Sequence, residues 1–147
     1  MSTQDIDKAT LLEGLNEDLA YEYQAIVMYN TYAAAVSGVH RNELKNFFLE
    51  EVADEFTHAR FLADKITALG GRPATSAPEV QYTTNAREMV ENVARAEAET
   101  IERYAKRMNQ AAAFGDYGLE TRLGDLIADE TTHKEEAEKL LQGKWQH

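Results

Sequence analysis

The fold is decided by a short stretch in the middle of the chain, 53-ADEFTH-58, and by its near copy 75 residues later, 128-ADETTH-133. The two stretches are identical at five of six positions, and each sets a glutamate three residues before a histidine. On an α-helix this spacing places both side chains on one face. A single Glu-x-x-His pair is commonly a solvated surface feature, whereas two copies at a fixed interval indicate a duplicated site.

The same interval of 75 residues also relates three identical positions upstream of the two stretches. The pairs are Glu22 with Glu97, Ile26 with Ile101 and Tyr29 with Tyr104. Elsewhere the halves share little, and Glu51 matches Leu126. Packing alone would more readily repeat the apolar residues, so the repeated acids and histidines predict a functional site.

Four helices are predicted from the spacing of apolar residues and from three breaks in it. Both prolines lie in the longest break, 69-LGGRPATSAPEVQYTTN-85, and shorter breaks occur at 37-SGVHRN-42 and 114-FGDYGLE-120. Between the breaks, apolar residues recur at intervals of three and four, as at Leu11, Leu15 and Leu19. We predict helices over residues 7–37, 42–69, 84–113 and 117–142.

The lengths of the connections predict how these helices are arranged. The two short connections favour antiparallel hairpins. A helix of about 28 residues is roughly 42 Å long, and an extended connection of about 15 residues reaches nearly 50 Å, so the middle connection can cross the whole bundle. We therefore predict an all-α four-helix bundle in which two helical hairpins are joined by a long crossover, with residues 1–147 forming one domain.

The repeated acids are expected inside this bundle, at one level. Glu22, Glu55, Glu97 and Glu130 fall near the midpoints of the predicted helices, and the apolar neighbours that mark the buried face are Leu62, Leu126, Ala137 and Leu140. Buried carboxylates lose hydration worth several kcal/mol each, so they must bind protons or cations. Glu and His ligands without Cys suit iron or manganese, with two ions about 3.5–4 Å apart.

Composition limits the remaining function classes. The chain has no cysteine, which excludes disulfides, zinc-thiolate sites, iron–sulfur clusters and thiol nucleophiles. A net charge of −11 disfavours nucleic acid and anionic membrane surfaces as partners and attracts cations. The first 20 residues contain no basic region followed by an apolar run, and no apolar stretch approaches the roughly 18 residues of a membrane span. We expect a cytoplasmic protein.

Aspartates precede both ligand glutamates. Helix phase predicts that Asp54 accepts a hydrogen bond from His133 and Asp129 from His58, which would orient both imidazoles.

Several other polar and aromatic residues are less decisive. For Tyr29 and Tyr104, core packing and a role in hydrogen bonding a ligand or passing an electron both stay open. We expect His40, Trp145 and His147 to be incidental surface or terminal residues.

The sequence resembles the ferritin-like superfamily, and bacterioferritin within it. The segments that carry the resemblance are 16-NEDLAYEYQAIVMY-29, 54-DEFTHARFLADKITALGGRP-73, 96-AEAETIERY-104 and 129-DETTHKEEAEKLL-141. The resemblance implies a homo-oligomeric ferroxidase that oxidises Fe(II) with O2 or peroxide for iron storage or detoxification. It implies two iron ions, with manganese possible in their place, and it places Tyr29 beside them. The implied ligands are Glu22, Glu55, His58, Glu97, Glu130 and His133, with Glu55 and Glu130 bridging.

The chain departs from bacterioferritin at two points. Phe56 stands where bacterioferritins place a haem-ligating methionine between paired subunits, so we expect no haem there. Only 14 residues follow His133, fewer than a fifth helix of the 24-subunit shell needs, which leaves a full storage shell open.

Three other functions compete with that of a ferroxidase. A rubrerythrin-like peroxidase or an oxygenase would use the same ligands without storing iron; rubrerythrins add a helix-three carboxylate, for which Glu99 and Glu102 are the candidates. A metal-free interaction module would leave the acids protonated or hydrated. A Dps-like protein is disfavoured, because that family builds its iron site between subunits and this chain carries a complete set.

Overall fold

The computed structural model of the protein describes residues 6–143 and 145. Over these residues the chain forms four helices and no strand: α1 (Lys8–Ala35), α2 (Arg41–Ala68), α3 (Ala86–Phe114) and α4 (Tyr117–Gln142). Each predicted helix end lies within two residues of the observed one, so the all-α prediction is confirmed. His147 lies outside the described residues.

Local side chains explain where three of these helices begin. Asp7, Asn85 and Asp116 each precede a helix and accept a hydrogen bond from a backbone N–H of its first turn. This contact satisfies one of the N–H groups that a helix leaves unpaired at its start. Helix α3 ends at Gly115, whose φ of 93° is the left-handed conformation that glycine adopts without strain.

The helices pack as two hairpins, α1 with α2 and α3 with α4, which meet mainly along α1 and α3. The long crossover is fastened to α1 at three side chains spaced eight residues apart, which spans about 24 Å of helix axis. All these contacts are hydrogen bonds to the backbone of the crossover: Asn16 donates to the carbonyl of Arg72 and accepts from the N–H of Ala74, Gln24 donates to the carbonyl of Glu79, and Tyr32 donates to the carbonyl of Gln81. The predicted crossing along the bundle is therefore confirmed.

Two apolar clusters fill the bundle on either side of the level at which the repeated acids lie. One cluster centres on Tyr32, Phe48 and Val93, and the other on Leu15, Leu62 and Leu123. Leu140 was predicted on the buried face but is 37% exposed, because it lies in the last turn of α4, where few side chains cover it. Within the described residues, none of the helices has the length and hydropathy of a membrane span.

A buried ion pair joins α1 to α3 within the second cluster. Arg107 donates to both carboxylate oxygens of Asp18, from Nε at 2.8 Å and from Nη2 at 3.2 Å. Gly14 makes room for it, since a Cβ at that position would lie 1.9 Å from Arg107 Nη1. Burial raises the pKa of Asp18 to about 6 in spite of the guanidinium. The pair is thus a buried polar link between the two hairpins.

Candidate metal centre

All six residues predicted as metal ligands come together between the four helices. Each is buried, and none is more than 6% exposed. They are Glu22 on α1, Glu55 and His58 on α2, Glu97 on α3, and Glu130 and His133 on α4. The prediction that the polar repeat converges at one level of the bundle interior is confirmed.

The two histidines are held in the same orientation by aspartates of the opposite hairpin. His58 Nε2 lies 3.1 Å from Asp129 Oδ2, and His133 Nε2 lies 3.1 Å from Asp54 Oδ2. The predicted pairing is confirmed for both. Because Nε2 is engaged, each imidazole presents Nδ1 to the cluster of carboxylates, which is the usual way an outer carboxylate orients a metal-binding histidine.

The four glutamates predicted as ligands divide into a pair that both histidines share and one private partner for each histidine. Glu130 Oε1 lies 3.1 Å from His58 Nδ1 and 3.5 Å from His133 Nδ1, and Glu55 Oε1 lies 3.5 Å and 3.8 Å from them. Glu22 lies 3.8 Å from His58 alone, and Glu97 lies 3.9 Å from His133 alone. The repeat in sequence thus becomes an approximate two-fold relation in space.

Each private glutamate receives a hydrogen bond from a tyrosine of the facing helix. Tyr29 OH on α1 donates to Glu97 Oε1 at 2.6 Å, and Tyr104 OH on α3 donates to Glu22 Oε1. Burial and the neighbouring carboxylates raise the pKa of both phenols, so they remain donors. Two of the roles left open by the sequence are therefore found together: both tyrosines pack in the apolar clusters, and both donate a hydrogen bond to a candidate ligand.

Burial favours the protonated form of three of the four predicted carboxyl ligands in the metal-free protein. Desolvation, reinforced by the charge of Glu130, raises the pKa of Glu22 to about 7. The pKa values of Glu55 and Glu97 lie well above the ordinary glutamate value, again because burial disfavours the charged form. Glu55 and Glu97 are therefore neutral acids near neutral pH, and Glu22 is about half protonated there.

The remaining charge is concentrated on Glu130 and the two histidines. Burial opposes ionisation of all three groups. Hydrogen bonds that Glu130 receives from the neighbouring glutamates and histidines nevertheless hold the pKa of Glu130 well below its usual range. Those bonds and nearby carboxylates outweigh desolvation of the imidazoles and raise the pKa of His58 to about 9 and of His133 to about 11. In the metal-free protein the acids and imidazoles of the cluster therefore carry protons, and a cation that binds to them would displace these protons.

The donor atoms of the cluster fit a pair of metal ions. Within residues 6–143 and 145, nine buried side-chain nitrogen and oxygen atoms lack a hydrogen-bond partner; seven belong to the six predicted ligands, and an eighth is Oε2 of Glu51, which lies beside His133. They include Nδ1 of both histidines and both oxygens of Glu130. Buried polar atoms are ordinarily paired, so their concentration at one place indicates a site built for a ligand. Oxygen and imidazole donors without sulfur suit iron or manganese.

Sequence reasoning missed Glu51. Its Oε2 lies 2.6 Å from His133 Nδ1 without the geometry of a hydrogen bond, and the residue is 7% exposed. The repeat obscured it, because its counterpart in the second half is Leu126. The helical spacing could have found it, since Glu51 precedes Glu55 by four residues and His58 by seven, which is one face of α2.

The other residues singled out from the sequence lie away from the cluster. Glu99 and Glu102 are exposed and line an open groove on the outer surface of α1 and α3, so neither is an additional ligand. The rings of His40 and Trp145 meet edge to face, with centroids 6.2 Å apart, and line a shallow cavity where α2 begins and α4 ends.

Comparison with known proteins agrees with the fold. The model of the ferritin-like domain matches residues 12–143. The chain belongs to the ferritin-like family. It is 29% identical to bacterioferritin of Desulfovibrio desulfuricans over 127 residues, which cover 86% of this chain and 71% of the relative. The resemblance to bacterioferritin is confirmed.

Two solved structures show how far the similarity of this ferritin-like chain extends. A protein of Bacillus anthracis described as a ferritin-like diiron-carboxylate protein is 50% identical, with a TM-score of 0.90 over 96% of this chain and 99% of that one. The Desulfovibrio desulfuricans bacterioferritin, whose diiron site was studied in different catalytic states, is 25% identical, with a TM-score of 0.85 over 97% of this chain and 84% of that one.

Proposed function

We propose that this protein is a ferroxidase that binds two Fe(II) ions per chain and oxidises them with O2 or peroxide, for iron storage or detoxification. The observation that carries the proposal is the convergence of eight buried, unpartnered donor atoms between the four helices. The diiron-carboxylate description of the Bacillus anthracis relative and the diiron site of the bacterioferritin relative support it.

The six side chains would divide the work of holding the two substrate ions. Glu22 and His58 would bind one ion, Glu97 and His133 the other, and the shared Glu55 and Glu130 would bridge them. Four carboxylates would cancel the charge of two divalent cations, which removes the penalty for burying both. Manganese has the same ligand preferences and could replace iron in this set.

Oxidation requires electrons and protons to balance. Two Fe(II) ions give up one electron each; two electrons and two protons reduce O2 to hydrogen peroxide, or reduce hydrogen peroxide to two molecules of water. The protons displaced from the acids and imidazoles when the ions bind supply this demand locally. Tyr29 would hold Glu97 in place for the reaction through its hydrogen bond, as Tyr104 would hold Glu22.

The direct test is Fe(II) oxidation by the wild type and by Glu55→Gln and Glu130→Gln variants, followed by ferric absorbance after mixing with O2 or peroxide. Glu50→Gln is the control, because it makes the same substitution at an exposed position of α2. We expect both site variants to fall to the rate of Fe(II) in buffer and the control to match the wild type. Unchanged oxidation in both site variants would refute the proposal and favour a metal-free interaction module.

Iron retention separates storage from the rubrerythrin-like peroxidase or oxygenase, the alternative that uses the same ligands. Fe(II) is added aerobically in rising ratios to the metal-free protein, small ions are removed, and the iron left per chain is counted. Retention far above two ions per chain supports a mineral-holding assembly. Saturation near two contradicts storage and supports a catalyst that keeps its metal pair.

We also propose that the protein functions as a homo-oligomer through the outer face of α1 and α2. Val27, Leu49 and Phe56 on this face are 48%, 41% and 57% exposed, and Val27 and Phe56 line an apolar groove against the crossover. Clustered exposed apolar residues are typical of interaction surfaces. Phe56 offers no atom that could ligate haem. Light scattering should show a smaller assembly for Phe56→Lys, and an unchanged mass would contradict this use of the face.

A further inference from the structure

The two halves of the candidate metal centre differ by one carboxylate. In the described part of the chain, three glutamates approach within 4 Å of His58 Nδ1, whereas four approach that close to His133 Nδ1. Three partners of each histidine are related by the repeat. The fourth partner of His133 is Glu51, and it is the nearest of them, at 2.6 Å.

The position of Glu51 is not that of an ordinary surface acid. It is 93% buried, one of its oxygens lacks a hydrogen-bond partner, and that oxygen faces Nδ1 of His133. At the equivalent place in the second half, Leu126 is 3% exposed and belongs to the apolar core. The repeat therefore places an apolar residue at this level in one half and an acid in the other, so the acid is not a feature that the repeated architecture itself requires.

We propose that Glu51 is a seventh ligand of the centre, binding the cation on the His133 side, and that the two cation positions are therefore unequal. This inference rests on the dinuclear site proposed above. His133 Nε2 is engaged by Asp54, so a cation on this imidazole binds at Nδ1, where Glu51 Oε2 already lies. An additional anionic oxygen ligand strengthens the binding of a hard divalent cation.

The consequence is an order of loading. The first cation occupies the His133 side, with Glu51, Glu97 and the two shared glutamates, and the second occupies the His58 side, which has one carboxylate fewer. The extra carboxylate occurs only in the first half of the repeat, where Glu51 corresponds to Leu126 of the second half. Substitutions at these two positions can therefore remove the carboxylate from the His133 side or add one to the His58 side.

The test uses Co(II), which is not oxidised under the conditions of the experiment and has visible bands that report its ligands. Co(II) is titrated into metal-free wild type, Glu51→Gln, Glu51→Leu and Leu126→Glu, with Glu50→Gln as the control. Crystals prepared with one Co(II) per chain locate the ion by anomalous scattering. Glu51→Leu copies the residue of the other half, and Leu126→Glu supplies the missing acid on the His58 side.

We expect wild type and control to bind two Co(II) in separate steps, with the first ion on the His133 side. Loss of an outer partner of a ligand commonly costs about 10–100-fold in affinity, and loss of a ligand should weaken the first step at least as much in both Glu51 variants. A single Co(II) should then be shared between the sides. Leu126→Glu should also equalise the sides, but by strengthening the His58 side.

Two Co(II) per chain with the same affinities, spectra and distribution in wild type and Glu51→Gln would overturn the role of Glu51 and leave the dinuclear site intact. In that case Glu51 would serve only as an ion-pair partner of the imidazolium. Failure of the wild type itself to bind two Co(II) would instead refute the dinuclear site on which the inference rests. If Leu126→Glu does not fold, the Glu51→Gln result decides.

Discussion

Metal binding at this centre should release many protons, because the metal-free cluster is held together by them. At pH 7 the pKa values of about 9 for His58 and about 11 for His133 leave both imidazoles protonated. The raised pKa values of Glu55 and Glu97 keep both acids neutral, and Glu22, at about 7, is half ionised. Two cations that take all these ligands should displace about four to five protons per chain.

Calorimetry of anaerobic Mn(II) binding in two buffers with different ionisation enthalpies counts these protons. The difference in apparent binding enthalpy between the buffers, divided by the difference in their ionisation enthalpies, gives the number released. At pH 8 the release should fall toward about four, because Glu22 is then already ionised before the cation binds. A release below about one proton per chain, with two ions bound, would refute the protonation states derived from burial. Glu50→Gln should leave the count unchanged.

Three further predictions follow from the same contacts. Folding raises the pKa of Glu22 from 4.5 to about 7 and that of His58 from 6.5 to about 9, so protonation of these two groups stabilises the metal-free fold. Its unfolding temperature should therefore fall from pH 5 to pH 9, and a rise over this range would contradict the raised pKa values. Asp54→Asn should weaken cation binding about 10–100-fold by releasing its histidine, and equal affinity by titration would exclude that role. Asp18→Asn should lower the free energy of unfolding in denaturant by about 3–5 kcal/mol, because it leaves Arg107 buried with a weakened partner; a loss below about 1 kcal/mol would show that the guanidinium finds another.

The helices and the polar cluster could be predicted from the sequence because both rest on spacing. Periodic apolar residues and glycine- and proline-rich breaks placed every helix end within two residues. The duplicated Glu-x-x-His pairs gave the level of the site. The pairing of Asp54 with His133 followed from helix phase, because a residue beside a ligand points toward the neighbouring helix.

What escaped prediction depends on contacts between helices that spacing within one helix does not specify. Glu51 meets His133 across the α2–α4 boundary, and the comparison of the two halves drew attention away from it because only one half carries the acid. The Asp18–Arg107 pair joins residues 89 positions apart, and neither partner belongs to the repeat. Leu140 lies on the apolar face of α4, as its spacing predicts, but it lies beyond the end of the core and is therefore exposed.

The ligand sets themselves would be tested most directly by locating the metal. Crystals of the protein loaded anaerobically with two Fe(II) ions per chain would be measured on both sides of the iron absorption edge. The proposed centre predicts two anomalous peaks between the four helices, about 3.5–4 Å apart, one beside Nδ1 of His58 and one beside Nδ1 of His133. A single peak, or iron bound only at the surface acids, would contradict a dinuclear centre.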